Sequence, residues 1–252
     1  HWDADDFVFN GKEYSAIIPT TGYEYFIEPC FGGGAVFLWL KQANPDLKCI
    51  VNDVNRELVD LYNHVKDNPD TIIRLMDKWE QLYLVLDLEK RKDFYYLMRT
   101  TYWESGQHMQ GKVMKSALLY FLMKTSFNGI WQTCKESHGE FGTPFGLGNQ
   151  TDKVYDKEQV LAWSKLLENT EIKCGDFETL EIPESSLIYC DPPYVESFTS
   201  YGTIFDEGRN DKWIKPGLKL LAKNILQMCE VDEHTKWGFD SEKYNVSPRE
   251  NI

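Results

Sequence analysis

The chain has 252 residues, of which 42% are hydrophobic, 14% aromatic and 27% charged, and its formal net charge is -13. This size and composition allow one large domain, or a core domain with an insertion, and exclude a disordered, collagen-like or coiled-coil chain. The apolar runs are far shorter than the roughly 20 residues of a membrane-spanning helix, and the first residues lack a signal-peptide pattern. We therefore expect a soluble cytoplasmic protein without a membrane partner.

The distribution of charges and cysteines indicates which kinds of partner and metal site this protein could have. Residues 88–135 contain eight Lys and Arg against three Asp and Glu, so this stretch carries +5 while the remainder carries -18. A basic segment in an acidic body is typical of a subdomain that faces nucleic acid, although exposed helix faces produce the same bias. The six cysteines are scattered without zinc-ligand spacing. We expect a reducing compartment and no structural metal.

Apolar periodicity predicts the elements in chain order. Strands are predicted at residues 25–27, 47–51, 171–174 and 187–190. Helices are predicted at 35–42, 57–65, 71–82 with Asp70 as N-cap, 90–101 and 112–126. Residues 127–145 mix glycines and a proline with aromatics, which favours a loop or hairpin projecting from the helices.

This alternation predicts an α/β fold with a mainly parallel sheet, in which ligands bind at the carboxyl ends of the strands. Each predicted strand is followed by a residue type suited to chemistry: a glycine turn, then Asp53, Asp176 and Asp191. The stretch 67–150 has no convincing strand. We expect a catalytic domain formed by 1–66 and 151–252, interrupted by a mostly helical insertion at 67–150.

The segment Asp191-Pro192-Pro193-Tyr194 directly follows an apolar strand. Two prolines fix the backbone and remove two amide donors, leaving carbonyls beside a carboxylate and an aromatic ring. The exocyclic amine of a planar base would fit this corner, with its two hydrogens on Asp191 and the Pro192 carbonyl and its ring on Tyr194. Asp-Pro-Pro is also common turn chemistry, so both interpretations remain open on these residues alone.

A glycine turn, Phe31-Gly32-Gly33-Gly34, follows the first predicted strand and allows a ligand close to the backbone at a helix N-terminus. It is not the dinucleotide pattern Gly-x-Gly-x-x-Gly, because Phe37 stands where the third glycine would be, and such a triplet is often only a turn. Asp53 lies about 20 residues on, at the spacing at which an acid reaches ribose hydroxyls.

Taken together, these motifs resemble the Dam-like DNA adenine-N6 methyltransferases (D12 class, alpha type), which use S-adenosylmethionine. The resemblance covers roughly residues 9–205 and implies a Rossmann-like methyltransferase sheet with a mostly helical inserted target-recognition subdomain. The matching segments, in the family's order, are residues 9–12, 26–34, 52–55, 127–129, 139–146, 174–177, 191–194 and 198–201.

The resemblance also implies which residues form the site. The methyl donor would be held by Phe9, Gly11, Lys12, Glu28, Pro29, Cys30, Phe31, Gly32, Gly33, Asp53, Asp176, Phe177 and Asp191. The target adenine would be flipped out of the duplex, at a cost of roughly a few kcal/mol. It would then be bound by the catalytic residues Asp191, Pro192, Pro193 and Tyr194. The reaction would yield S-adenosylhomocysteine in one displacement without a metal.

Residues 127–145 resemble the family's DNA-reading hairpin. The candidate DNA contacts are Lys124, Asn128, Trp131, Gln132, Lys135 and Tyr201. A tryptophan is equally a core residue, and Lys124 suits an exposed helix face. The resemblance implies double-stranded DNA as partner, a monomer or weak dimer, and the cytoplasm of a bacterial or phage-infected cell.

Two departures from the family pattern are informative. Members that read GATC usually carry an Arg where this chain has Gln132, and Gln pairs with adenine rather than guanine, so we expect a different recognition sequence. Few strand signals follow Phe205, so we expect either that segments are absent from this sequence or that the C-terminal half of the sheet has diverged. The leading His1, where Met would be usual, indicates a processed, trimmed or partly observed chain.

Other functions remain open. An RNA adenine methyltransferase would use the same chemistry at the base. A glutamine methyltransferase would typically carry Asn-Pro-Pro-Tyr in place of residues 191–194 and would lack the insertion. A catalytically silent DNA-binding protein is compatible with the acidic charge.

Overall fold

The computed structural model describes residues 6–9, 12–15, 18, 20–105, 112–134, 137, 139–146 and 152–191. Two short strands, β1 (Asp6–Phe9) and β2 (Lys12–Ser15), form an antiparallel pair. The other strands are β3 (Tyr25–Glu28), β4 (Lys48–Asp53), β5 (Thr170–Cys174) and β6 (Ser186–Ile188). The helices of the described part are α1 (Ala35–Ala43), α2 (Arg56–Asp67), α3 (Pro69–Leu84), α4 (Leu88–Ser105), α5 (Val113–Thr125) and α6 (Lys157–Leu166).

Strands β3 to β6 form one parallel sheet in the order β5-β4-β3-β6. Its central strands are apolar on both faces, as a sheet covered by crossover helices requires. Phe26, Cys49, Val51 and Leu187 face the main helical core, whereas Ile27, Ile50 and Ile188 form a second cluster with Leu180 and Cys190. The expected α/β class is confirmed.

Side chains at the helix starts explain where several helices begin. The Asn55 side chain caps α2 by accepting from the amides of Glu57 and Leu58. The expectation of Asp70 as the N-cap of α3 was wrong, because Asn68 is the N-cap and Pro69 is the first helical residue. Proline suits that position since its missing amide would be unpaired there anyway, and it starts the helix earlier than the apolar periodicity indicated.

Helices α3, α4 and α5 are built from residues within the predicted insertion, and they share one apolar core with the sheet. Its fully buried side chains include Phe26 in β3, Met76 in α3, Tyr95 in α4 and Phe121 in α5. These helices follow one another without an intervening strand in the described part of the stretch. The boundaries of the insertion at 67 and 150 stay a prediction.

Within the described residues, no helix combines the length and apolarity needed to cross a membrane. Three elements went unpredicted: β1, β2 and α6.

Candidate active site

Backbone hydrogen bonds bring the ends of the four parallel strands to one edge. The amide of Phe31, after β3, donates to the carbonyl of Asn52 at 2.8 Å, and the amide of Gly175, after β5, donates to the carbonyl of Asp53 at 3.1 Å. The amide of Tyr189, after β6, donates to Ile27 at 2.9 Å. We call this the strand-end edge; it carries Glu28, Asp53, Asp176 and Asp191.

Buried Asn52 joins the loops at this edge. Its side-chain amide donates to the carbonyl of Pro29 at 3.0 Å and to that of Gly175 at 3.1 Å. One side chain at the end of β4 therefore holds the loops after β3 and β5 together. Sequence reasoning gave Asn52 no role, because a polar residue at a strand end does not reveal which carbonyls it will meet.

Asp53 is held by two backbone amides. Its Oδ2 accepts from the amide of Gly32 at 2.9 Å, and its Oδ1 accepts from the amide of Asn55 at 2.8 Å. The side chain is half-buried. Each carboxylate oxygen retains a second acceptor position, so two neighbouring hydroxyl groups fit this carboxylate.

The glycine turn after β3 is fixed by its own conformation. Gly32 and Gly34 have φ of 48° and 64°, in the left-handed region. A Cβ at Gly34 would lie 2.7 Å from the Phe31 ring, whereas one at Gly33 would meet none of the described residues within 4 Å. The Tyr62 hydroxyl donates to the Gly32 carbonyl at 2.9 Å. The turn is therefore held in one conformation by these angles and this hydrogen bond, and the described residues leave space beside Gly33.

Glu28 is a buried carboxylate at this edge, 3% exposed. Its Oε2 has no hydrogen-bond partner among the described residues. Burial raises the pKa of Glu28 to about 8; a hydrogen bond from the Phe37 amide opposes this, and the charge of Asp191 adds to it. A cationic ligand group would supply the missing partner and favour the charged form, so this site fits an ammonium.

Two thiols lie nearby, at Cys30 and Cys190. Burial raises the pKa of each to about 12, and for Cys30 the neighbouring Cys190, Asp53, Asp191 and Glu28 add to the effect. Both thiols are therefore neutral near pH 7 and poor nucleophiles. In the part of the chain that the structure describes, no group of three His, Cys, Asp or Glu residues is arranged to hold a metal ion.

Two further residues that were predicted to hold the methyl donor, Asp176 and Phe177, follow β5. Asp176 caps a short turn and accepts from the amide of Glu178 at 3.1 Å, and Phe177 is buried. Beside them at the end of β4, Val54 is 51% exposed although apolar. The sequence signal for Val54 was its position directly after Asp53, which we did not use.

A profile of the D12 class N6 adenine-specific DNA methyltransferases matches residues 12–241. The chain belongs to this family. The resemblance seen in the sequence motifs is confirmed.

Named relatives agree with this. The chain is 36% identical over 215 residues to the Type II methyltransferase M.MjaIII of Methanocaldococcus jannaschii, covering 79% of this chain and 73% of the relative. It is 31% identical over 188 residues to the Type II methyltransferase M1.LlaDCHI of Lactococcus lactis, covering 71% and 61%. It is 30% identical over 183 residues to a DNA adenine methylase of Haemophilus influenzae, covering 69% and 58%. The chain thus spans less than two thirds of the latter two relatives.

For a member of this family, the loop at residues 126–145 is of particular interest. An isolated β-bridge between Ser126 and Phe145 closes it. Inside, the Thr143 hydroxyl donates to the Ile130 carbonyl at 2.6 Å and accepts from the Gln132 amide at 3.1 Å. The amide of Gly142 donates to the Gln132 carbonyl at 2.7 Å. The backbone of Gln132 is therefore in fixed register with the returning limb.

Helix α4 clamps that returning limb. Arg99 donates to the carbonyls of Gly142 at 3.0 Å and Thr143 at 3.2 Å, while its guanidinium lies over the Trp103 ring at 4.5 Å. The Trp103 indole donates to the Phe141 carbonyl at 2.9 Å. Sequence reasoning missed this clamp, since Arg99 counted only as part of the basic stretch.

The predicted DNA contacts differ in exposure. Lys124, Asn128 and Gln132 are exposed, with Lys124 above the Tyr120 ring and Asn128 at a φ of 53°. Trp131 is half-buried and packs edge-on against Phe141, with ring centroids 5.4 Å apart. Its packing suits a structural role; its role in DNA contact stays a prediction.

Several predicted site residues lie outside the described residues: Gly11, Lys135, Pro192, Pro193, Tyr194 and Tyr201. For Phe9 and Lys12 the structure describes the strand backbone alone.

Proposed function

We propose that this chain transfers a methyl group from S-adenosylmethionine to the N6 amine of an adenine in duplex DNA, at a specific sequence. The main observation behind the proposal is that four parallel strands bring Glu28, Asp53, Asp176 and Asp191 to a single edge. In the sequence, Asp191 is followed directly by Pro192-Pro193-Tyr194. In open α/β sheets this edge is where ligands bind. Family membership supports the same reaction.

The strand-end edge offers matched groups for the donor, which supplies an electrophilic methyl group on a sulfonium. Glu28, whose Oε2 has no hydrogen-bond partner in the described part of the chain, would take the ammonium of the methionine part. Asp53, held by two amides, would accept the two ribose hydroxyls. Exposed Val54 would pack on the adenine, with Asp176 near its polar edge.

Asp191 and the Pro192 carbonyl would act on the target amine. Both accept hydrogen bonds, so together they can hold the two N6 hydrogens and favour a pyramidal nitrogen whose lone pair is free to attack. A fixed carboxylate also stabilises the positive charge that develops on that nitrogen. Tyr194 would stack on the flipped base. A single displacement requires no thiolate, in keeping with the neutral Cys30 and Cys190.

The 126–145 loop would face the DNA. It carries exposed Asn128 and Gln132, and the apolar Phe127 and Ile130 beside them are 50% and 43% exposed. Exposed apolar and amide groups together suit contact with base edges, while Lys124 suits a phosphate. Because the substrate would be DNA, we expect the protein in the cytoplasm of a bacterial or phage-infected cell, as a monomer or weak dimer.

Methyl transfer from labelled donor to duplex DNA, RNA and protein, measured side by side, tests this function. The proposal predicts label in duplex DNA, recovered as N6-methyladenine after digestion. Label recovered in RNA alone would indicate an RNA adenine methyltransferase, and label in protein a glutamine methyltransferase. DNA binding without transfer to any substrate would indicate a catalytically silent binder.

A further inference from the structure

A buried lysine links the 126–145 loop to the helix that begins at the strand-end edge. The Lys115 side chain, on α5, is 8% exposed. Its Nζ lies 2.7 Å from Oε1 of Glu140 in the loop and 3.2 Å from Oε1 of Glu57 in α2. It also lies 4.8 Å from the centroid of the buried Tyr102 ring. One cation thus joins three segments that are distant in sequence.

This cluster sets one lysine against two glutamates. Burial raises the pKa of Glu57, against the opposing effects of the Tyr102 hydroxyl and of Lys115. Burial alone would lower the pKa of Lys115, but its hydrogen bond to Glu140 and the charge of Glu57 outweigh this and raise it. Lys115 is therefore charged at neutral pH and holds both carboxylates.

Stability alone is a poor explanation for such a cluster. Removing charges from water costs energy that their attraction only roughly offsets, so apolar side chains of similar volume often stabilise a protein as well. Unlike apolar packing, a hydrogen-bonded ion pair has a preferred geometry, so it fixes the positions of the groups that form it. The positions that Lys115 fixes are therefore informative.

Both partners of Lys115 lie close in sequence to residues that position proposed functional groups, namely Asp53 and Gln132. Glu57 lies in the first turn of α2, two residues after Asn55, whose amide holds Asp53. Glu140 lies three residues before Thr143, whose hydroxyl holds the Gln132 backbone. One chain of contacts between the strand-end edge and the loop segment that holds Gln132 therefore runs through Lys115, beside the contacts that α4 makes with the same segment.

We propose that Lys115 is a positioning residue for sequence recognition: by tying Glu140 to α2, it fixes the 126–145 loop relative to the strand-end edge and so sets how strictly the enzyme discriminates between DNA sequences. The inference rests on the proposed function. Lys115 is not among the residues proposed to hold the donor or to contact DNA, so its loss should leave donor affinity intact.

Four variants separate positioning from other effects. Lys115→Met removes the charge, and Glu140→Gln weakens only the loop end of the tie, at a side chain that is 26% exposed. Lys115→Arg keeps the cation. Lys112→Met removes the same charge from the exposed N-cap of the same helix and serves as the matched control.

The experiment first identifies the methylated sequence by sequencing DNA from cells that express the wild type. It then compares kcat/KM on a duplex with that sequence against one with a single substituted base pair beside the adenine. We expect the discrimination ratio to fall about tenfold in Lys115→Met and Glu140→Gln, within the range of one base contact. The Kd of S-adenosylhomocysteine should stay constant, and the Arg and Lys112 variants should match the wild type.

The outcomes distinguish this inference from the proposed function. If Lys115→Met fails to fold, Glu140→Gln carries the test. An active wild type whose discrimination ratio is unchanged in Glu140→Gln would overturn the inference alone. A loss of donor affinity equal to the loss of discrimination would also overturn it, since that pattern reflects general disruption. A wild type inactive on every duplex would overturn the proposed function and the inference with it.

Discussion

The substitution Asp53→Ala tests the donor site most quantitatively. The Asp53 carboxylate accepts from the amides of Gly32 and Asn55 at 2.9 Å and 2.8 Å, which orients both oxygens. In the proposed complex, each oxygen also accepts one ribose hydroxyl. Alanine removes all four interactions and leaves two backbone amides without this partner.

Their magnitude follows from the charge of the acceptor. A hydrogen bond to a charged group contributes about 1.5–3 kcal/mol, so losing two to the ribose should cost about 3 kcal/mol or more. That corresponds to a Kd weakened by about 100-fold or more. The freed amides are only partly buried, so water can reach them. We expect a loss of about 1–2 kcal/mol in the free energy of unfolding.

Asp53→Asn sharpens the test. The side-chain NH₂ of the new asparagine would face one of the two backbone amide donors, so it cannot accept both hydrogen bonds. The Asp53→Asn variant should therefore bind the donor more like the Ala variant than like the wild type. Asp60→Ala is the control: it loses a pair with the exposed Arg56, worth about 0.3–0.5 kcal/mol, and leaves the Asp53 hydrogen bonds in place. Isothermal titration with S-adenosylhomocysteine gives the Kd of each variant. An Asp53→Ala affinity within about threefold of wild type would refute the ribose assignment.

Two further predictions concern the strand-end edge, and a third concerns the 126–145 loop. The pKa of Glu28 is raised from 4.5 to about 8, so between these values the folded state binds one more proton than the unfolded state, and the free energy of unfolding falls as pH rises through this window. In urea titrations, Glu28→Gln should remove that decline. An unchanged pH profile in the variant would contradict the prediction. Gly34→Ala should lower the free energy of unfolding, measured in urea, by at least about 1–2 kcal/mol because of its positive φ, and by more because the new methyl group contacts Phe31. Gly33→Ala should be as stable as the wild type. Equal stability of the two variants would count against the turn geometry. Gln132 predicts a methylated sequence other than GATC, with an adenine beside the modified base, and recovery of GATC alone from sequenced plasmid DNA would show this reasoning to be wrong.

The sequence predicted the sheet well because its central strands are unusually simple to recognise. Strands β3 and β4 are short apolar runs, each ended by a glycine turn or an acid, and at four and six residues they are too short to be mistaken for helices. Helix α6 was missed because, of its ten residues, Val160 alone is fully buried, so its apolar periodicity is weak. The start of α3 was misjudged because Pro69 was not weighed as a first helical residue.

Local motifs identified which residues carry the chemistry, but not how the protein holds them. The Asp53 spacing was readable, whereas its two amide donors depend on the turn at Gly32 and on the start of α2. The raised pKa of Glu28 depends on burial, which no spacing reveals. The Lys115 cluster unites residues 57, 115 and 140, and only the packed helices bring them together.

The most direct test of the account is the amount of N6-methyladenine formed in duplex DNA by the wild type and by Asp191→Ala at saturating donor. Asp191 is proposed to hold the target amine, so the variant should lose at least about 1.4 kcal/mol of transition-state stabilisation, leaving less than about a tenth of kcat. Its Kd for S-adenosylhomocysteine should stay close to that of the wild type, because Asp191 acts mainly on the target amine and the other predicted donor-binding residues remain. A variant that keeps more than about a tenth of kcat, or a wild type that forms no N6-methyladenine, would contradict the account.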